Sequence, residues 1–455
     1  MRQKVLIISH DLIGEQMAGP AIRCWELAKQ LSVVCDVTVT SKLEVSRTHP
    51  DFEVISFHRS NARLLEQARE ADVLVIQGWV LRLCPELAQL GKYLVVDLYD
   101  PFIFEHYPHF ETMGPRRDET FLEFVSVLDE QMLLGDYFVC ANERQRDMWF
   151  GRFCSLGRLT PDLFAQDPSM KRLIGLVPFG LPEAPPVSEK RVLRGVVPGI
   201  DEGDFVLLWG GGVWNWFDPL TVIRAVAELS RDRSDIKLYF MGVKHPNPEI
   251  PEMAMTNRAV DLARELGVLD RFVFFNHGWV SYEERQAYLA EVDAGVSSHF
   301  DSIETRFSFR TRVLDYLWAG LPILTTEGDG MAELVGQERL GEVMRYEDVE
   351  GWKQAIRTLA DDAAHRAAVR ERVTTIAPDF RWSRAVKPLL DYCQSPYRAP
   401  HSLKTSQRLS FPHVMVSKLR NSPVAKGFSV LRHEGPVSLV RQGTAFLKRR
   451  LVGQR

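Results

Sequence analysis

The stretch Ala294–Val335, AGVSSHFDSIETRFSFRTRVLDYLWAGLPILTTEGDGMAELV, decides the fold. Ala294 to Ser297 is an apolar run of strand length, followed by a polar loop carrying Asp301, Glu304, Arg306, Arg310 and Arg312. Val313, Leu314, Leu317 and Trp318 then recur at helical spacing. Ala319-Gly320 is a left-handed helix stop, and Leu321 to Thr325 is a second short strand. Strand, loop, helix and strand in this order make a βαβ unit, so carboxylates and guanidiniums gather at the carboxyl edge of a parallel sheet. Ligands sit at that edge in open α/β sheets.

Working outward, the same alternation predicts further strands at 206–209, 237–241 and 273–275 upstream of this unit. An earlier series falls at 5–8, 37–40, 54–57, 73–76, 93–97 and 137–141, with a helix starting at Pro20 and burying Ala21, Cys24, Trp25, Ala28 and Leu31. Runs without strict alternation, separated by helices, imply parallel sheets covered on both faces. Between the two series lie Pro178, Pro182, Pro185, Pro186 and Pro198, which continue neither a helix nor a central strand. The expected organisation is therefore a first α/β domain over 1–180, a linker over 181–200, a second α/β domain over 201–375, and a returning helix over 376–395. A basic tail over 396–455 completes it. The returning helix carries Trp382, Ala385, Val386, Leu389 and Leu390, with a kink expected at Pro388.

A chain of 455 residues is too long for one core. Its net charge of −4 excludes a general polyanion binder, and no nucleic-acid partner is expected. The charge is uneven: from Tyr397 onward there are twelve Lys or Arg against the single acid Glu434. Val437 to Val452 is roughly amphipathic and suits an anionic membrane surface, although a solvated tail fits it too. Six cysteines show no metal-ligand spacing and read as reduced thiols. With no signal peptide and no long apolar run, a cytoplasmic protein is expected, soluble or peripheral on the inner face of a membrane.

Three loops carry candidate chemistry. Ala18-Gly19-Pro20 opens the first helix, where free N–H groups favour an anion, though a tight turn would use glycine as well. Gly210-Gly211-Gly212 ends a strand and precedes Trp214, Asn215 and Trp216, which suits an anion beside a walled sugar or base, or a turn with core tryptophans. Trp279 follows a third strand in a position to seat a planar base, and a structural tryptophan fits it equally. Asp97 and Asp100 stand at the end of the fifth strand, able to hold a hydroxyl or to cap the turn.

Together these pieces resemble the GT-B glycosyltransferases, specifically family 4 of the retaining sugar-nucleotide transferases. The resemblance spans residues 1–395 and is carried by Ala18-Gly19-Pro20-Ala21-Ile22-Arg23, glycines 210–212, Gly278-Trp279-Val280, and Glu304 through Asp329. Its most specific part is Asp315-Tyr316-Leu317-Trp318-Ala319-Gly320-Leu321-Pro322. The resemblance implies two Rossmann-like, doubly wound parallel-sheet domains facing across a cleft. A UDP- or GDP-sugar would be the co-substrate, with no cofactor or metal, and a saccharide or lipid-linked saccharide the acceptor.

Carried onto this chain, the pattern gives Glu304, Arg310, Arg312 and Asp100 catalytic roles. It places Gly211, Gly212, Asn215, Trp279, Ser308, Asp315 and Asp329 on the donor, and Gly19 and Arg23 on the acceptor side. Two departures stand out. Many members have two glutamates separated by seven residues, whereas here Asp315 fills the second place, Phe307 the first, and Glu304 is the nearest acid upstream. The Arg and Lys that commonly follow the glycines are replaced by Trp214, Asn215, Trp216 and Asp218, which moves the diphosphate onto Arg310 and Arg312, unless one of them pairs with Asp301, Glu304 or Asp315 to hold the loop. A non-catalytic GT-B scaffold partnering an active transferase, and a sugar-nucleotide epimerase of the same fold, are the alternatives.

Overall fold

Unbroken apolar runs such as those in Lys4–Ser9 and Phe205–Trp209 become strands buried on both faces, and that burial requires helices on each side of the sheet. The computed structural model describes residues 2–400 apart from 44, 112, 248 and 251. The basic stretch beyond 400, with the expected amphipathic helix at Val437–Val452, lies outside the described residues.

The first sheet contains β1 (Lys4–Ser9), β2 (Asp36–Ser41), β3 (Glu53–Ser56), β4 (Val73–Gln77), β5 (Tyr93–Asp97), β6 (Tyr137–Cys140) and β7 (Ile174–Leu176), in the order β3-β2-β1-β4-β5-β6-β7. The second contains β8 (Phe205–Trp209), β9 (Ile236–Phe240), β10 (Val273–Phe275), β11 (Ala294–Ser297), β12 (Ile323–Thr326) and β13 (Gly341–Met344), in the order β10-β9-β8-β11-β12-β13. All pairings between these strands are parallel. Each order reverses once, at β1/β4 and at β8/β11, and these two switch points open crevices at the carboxyl edges. The sequence reading omits β7 and β13. Both are edge strands: β7 is three residues with a central Gly175, and β13 carries Glu342 and is mostly unburied.

The last described helices, Trp382–Ala385 and Lys387–Gln394, return to the first sheet. Tyr392 stacks on Tyr137 of β6 at 4.3 Å. Upstream, the Trp382 N–H donates to Leu181 O at 3.0 Å, and the Leu181 N–H to Phe380 O at 2.8 Å. Pro388 does not kink one long helix, as expected from sequence. The break falls at Val386, and Pro388 occupies the first turn of the second helix, where its missing N–H is harmless. One apolar cluster runs from Val5, Ile7 and Val75 through Phe179, Leu181 and Trp382 to Val206, Leu208 and Val313, joining the two sheets. No helix among the described residues is long and apolar enough to cross a membrane.

Candidate active site

The second sheet's crevice is built around Tyr316. Its ring is fully buried beneath β8 and β11, and the Gly210 N–H donates to its hydroxyl at 2.8 Å. That hydroxyl lies 2.9 Å from Leu208 O and 2.8 Å from Val296 O. The ring fits because Gly295 has no side chain; a Cβ there would lie 2.2 Å from Tyr316 Cγ. The turn continues through Gly211, whose φ of +71° suits glycine. Arg312 Nη2 then donates to Gly212 O at 2.9 Å. Its guanidinium lies 4.6 Å from the Trp209 ring centre and 4.1 Å from that of Phe217, and Nη1 is buried without a hydrogen-bond partner. Burial pulls the Arg312 guanidinium down to about 10, which leaves it charged at neutral pH.

Behind this cation sits an ion-pair network. Arg310 donates from Nη1 and Nη2 to the two oxygens of Glu304, and its Nε lies 3.4 Å from Asp329 Oδ2. Asp329 also caps the helix Gly330–Glu338, accepting from the Met331 and Ala332 N–H groups at 2.7 and 2.9 Å. Burial raises the Glu304 and Asp329 carboxyls, against the opposing pull of Arg310. Burial opposes the charge of Arg310 too, but Glu304 and Asp329 outweigh it and hold the guanidinium above its ordinary value. His299, fully buried with its Nε2 3.0 Å from Glu327 O, is kept neutral by burial and by the two arginines.

A cavity of about 340 Å³ opens beside the glycine turn, lined by Gly212, Trp214, Lys244, His245, Asn247 and Trp279 among others. Trp214 stacks on Trp216 at 5.5 Å, and the His245 ring lies 5.5 Å from both Trp214 and Trp279. Trp279 also ties the domains together: its Nε1 donates to Met17 O at 3.2 Å, and Gln16 Nε2 donates to its carbonyl at 3.0 Å. Asn247 Nδ2 donates to Asp11 Oδ1 at 2.8 Å, another link across the crevice.

On the first domain, Arg23 is fully buried and grips Asp97 through Nε and Nη2 at 2.6 and 2.9 Å, with Nη2 also on Val177 O. Gln77 Nε2 donates to the same aspartate at 3.0 Å. Asp100 lies just beyond, and burial together with Asp97 pushes its carboxyl up to about 7. Glu105, closing the short helix Phe102–Glu105, is raised well above the usual carboxylate range by burial, Asp100 and Glu304. His10 opens the loop after β1 with a buried, unpartnered Nδ1, its imidazole packed where a Cβ on Gly78 would stand 3.1 Å away.

Residues 204–362 match the family described as Glycosyl transferases group 1. Among curated relatives, the D-inositol 3-phosphate glycosyltransferase of Stackebrandtia nassauensis is 26% identical over 250 residues, covering 53% of this chain and 54% of that one. The protein of the same name from Pseudarthrobacter chlorophenolicus is 24% identical over 197 residues, covering 42% and 43%. The chain thus spans about half the length of the curated relatives it matches. Among solved structures, Anabaena HepE in complex with UDP and glucose aligns with a TM-score of 0.60 at 14% identity, over 87% of this chain and 100% of that one. WaaG, a glycosyltransferase involved in lipopolysaccharide biosynthesis, aligns at 0.58 and 16% over 86% and 100%. The chain therefore has the GT-B fold, and its residues 204–362 match a glycosyltransferase family.

In this GT-B chain the expected site residues fall into two groups. Gly211, Gly212, Arg312 and Trp279 converge on the glycine turn and its cavity. Gly19 opens the helix Gly19–Leu31 with open space where a side chain would stand. The others are engaged elsewhere. Arg23 is no acceptor contact, because Asp97 consumes its charge inside the core. Arg310 is no free phosphate ligand, because Glu304 and Asp329 hold it, and Glu304 is equally enclosed. Asn215 Oδ1 accepts from the Met255 N–H at the start of the helix Ala254–Glu265. Ser308 is buried, its Oγ donating to Thr305 O and its carbonyl accepting from Asn142. Asp315 accepts from Arg285 Nε at 3.1 Å. Lys244, His245, Glu105 and His10 were missed, since none sits in a spacing that marks it; only the strand-end position of His10 offered a signal.

Proposed function

We propose that this chain transfers a sugar from a nucleoside-diphosphate donor to a hydroxyl of a saccharide or lipid-linked saccharide, with retention, as a family 4 enzyme of cell-surface polysaccharide or glycolipid assembly. The observation that carries the reading is Arg312 Nη1, a buried and unpartnered N–H on a cation tied to Gly212. Gly212 in turn lines the cavity walled by Trp214, His245 and Trp279. A buried charged donor without a partner calls for an anion, and an aromatic wall for a planar base. The base therefore occupies the cavity, and the diphosphate lies against the glycine turn with Arg312 behind it and Lys244 at the cavity's rim.

As the nucleoside diphosphate departs, negative charge grows on its terminal oxygen while the sugar carbon becomes electron-poor. Arg312 and the turn's N–H groups meet the first without reorganising. In a front-face route the leaving oxygen takes the acceptor's proton, and Asp100 orients the hydroxyl from the first domain. Structurally similar proteins solved with UDP-glucose (HepE) and with UDP-2-fluoro glucose (the Escherichia coli trehalose-6-phosphate protein) support a UDP-sugar among the donors. The basic tail would keep the enzyme on the inner face of an anionic membrane.

Titration with nucleoside diphosphates, followed by product analysis with UDP- and GDP-hexoses, tests the reading. Acceptor-dependent diphosphate release with a retained anomeric configuration is expected. Isomerised donor without acceptor would point to an epimerase, and no nucleotide binding at all to a scaffold.

A further inference from the structure

We infer that His245 makes the cavity beside the glycine turn select a nucleobase with a carbonyl at its hydrogen-bonding edge, as in uracil or guanine, over one with an amino group there, as in cytosine or adenine. The inference rests on the transferase reading above, which seats the donor's base in this cavity.

His245 follows the end of β9, and the loop that carries it is held by its neighbours on both sides. The Met241 N–H donates to Trp209 O at 3.0 Å, and the Val243 N–H to Gly278 O at 3.3 Å. Gly242 and Gly212 let the Trp279 indole close on these backbones, since a Cβ at either would lie 3.2 Å from a carbon of that ring. The His245 ring centre then stands 5.5 Å from those of Trp214 and Trp279. Gly212, Trp214, His245 and Trp279 all line the cavity of about 340 Å³.

A hydrogen bond fixes which nitrogen of this ring carries the proton. The Asn247 N–H donates to His245 Nδ1 at 3.0 Å, so Nδ1 is an acceptor and the proton of the neutral ring sits on Nε2. Asn247 is itself held in place: its Nδ2 donates to Asp11 Oδ1 at 2.8 Å and its Oδ1 accepts from the Glu249 N–H at 2.9 Å, with Asn247 and Asp11 each only 4% exposed. Burial lowers the His245 imidazole below its ordinary value, against the pull of Asp11, which keeps the ring neutral at neutral pH. Among the described residues no group takes up Nε2, so its N–H is a free donor on a side chain that lines the cavity.

The other polar side chains of the lining add little that accepts. Lys244 brings an ammonium, which only donates, and the Asn247 amide is already engaged. Glu252 is exposed, where a hydrogen bond to the base replaces one to water at small net gain. Facing His245, the O4 carbonyl of uracil or the O6 carbonyl of guanine accepts the N–H, whereas the amino group of cytosine or adenine sets donor against donor. The ring nitrogens of those bases meet the N–H only with the base displaced. An enclosed N–H left unpaired carries its desolvation penalty, so a site built to donate rejects the base that offers it no acceptor.

The test titrates the full chain by isothermal calorimetry with matched nucleoside diphosphates that differ at this edge of the base, UDP against CDP and IDP against ADP. In the pair that binds more tightly, the carbonyl-bearing member is expected to win by about tenfold or more. His245→Phe keeps an aromatic ring and removes the N–H, so the gap should shrink at least fivefold, chiefly through weaker binding of the carbonyl-bearing member. In His245→Gln the amide can turn either its N–H or its carbonyl to the base. That variant should bind the amino-bearing member more tightly than the wild type does, a gain that lost packing would not produce. Thermal unfolding reports that each variant is folded, and should His245→Phe fail to fold, His245→Gln carries the comparison. A wild type that binds both members alike, or prefers the amino-bearing one, overturns the inference and leaves the transferase reading intact. An unchanged gap in folded variants overturns the assignment to His245. Binding of none of the four, nor of GDP, overturns both.

Discussion

Both Nη atoms of Arg310 donate to the two oxygens of Glu304, at 2.9 and 2.8 Å, with each side chain only 3% exposed. The pair links the short helix Ile303–Phe307 to the residue that precedes the helix Thr311–Trp318, six residues on. Removing one partner strands a charge in the core, so Glu304→Ala or Arg310→Met should each cost about 3–5 kcal/mol. A Glu304→Ala/Arg310→Met double variant, which leaves only Asp329 still held by the Met331 and Ala332 N–H groups, should cost less than the sum of the two. Urea unfolding of the four proteins measures this, and additive losses would show that the two side chains are not coupled.

Arg312 lies two residues further on and behaves differently, because its Nη1 has no partner. An Arg312→Met variant keeps the packing against Trp209 and Phe217 but loses the cation, so nucleoside diphosphate affinity should fall by about 10–100-fold, the worth of a charge-assisted hydrogen bond. Isothermal titration with UDP or GDP reads the change. Unaltered affinity removes Arg312 from the phosphate site.

Tyr316 holds the glycine turn through its hydroxyl alone. Tyr316→Phe should leave the buried Gly210 N–H unsatisfied and lower stability by about 1–2 kcal/mol. If the turn carries the diphosphate, the same change weakens nucleotide binding as well. Gly295→Ala should be worse, since its Cβ would fall 2.2 Å from Tyr316 Cγ and the surrounding strands leave the ring no retreat. Thermal unfolding that ranks Tyr316→Phe below Gly295→Ala would contradict this account.

Much of this architecture was legible because parallel strands are apolar throughout and their loops punctuate the chain. The stretch from Ala294 to Val335 declared a strand, a charged loop and a helix, and β11, the helix Thr311–Trp318 and β12 stand there. The partners of its charges were not legible. Arg310 and Arg312 look alike in sequence, but Arg310 precedes the helix Thr311–Trp318 with a non-helical backbone while Arg312 lies within it, and one meets Glu304 while the other meets Gly212 O. Arg23 and Asp97 are 74 residues apart, and only the sheet order brings them together. Glu105 lies in a helix of four residues, too short to show any periodicity.

The raised carboxyl of Asp100 gives a stability prediction whose sign is fixed. Its ordinary value is 3.8 and burial, with Asp97, lifts it to about 7 in the folded chain. Below the ordinary value both states hold the proton and the site costs nothing through titration. Between the two values the unfolded chain releases a proton that the folded chain keeps, so raising the pH favours unfolding. Above about 7 the penalty is complete and constant. Glu105, raised for similar reasons, acts in the same direction. Asp100→Asn removes the first contribution, so the variant should gain on the wild type by about 1–2 kcal/mol between pH 4 and pH 8, allowing for partial solvent screening. Urea midpoints at the two pH values measure the gain. A difference between the proteins that is the same at both would mean that Asp100 titrates as an ordinary surface carboxylate.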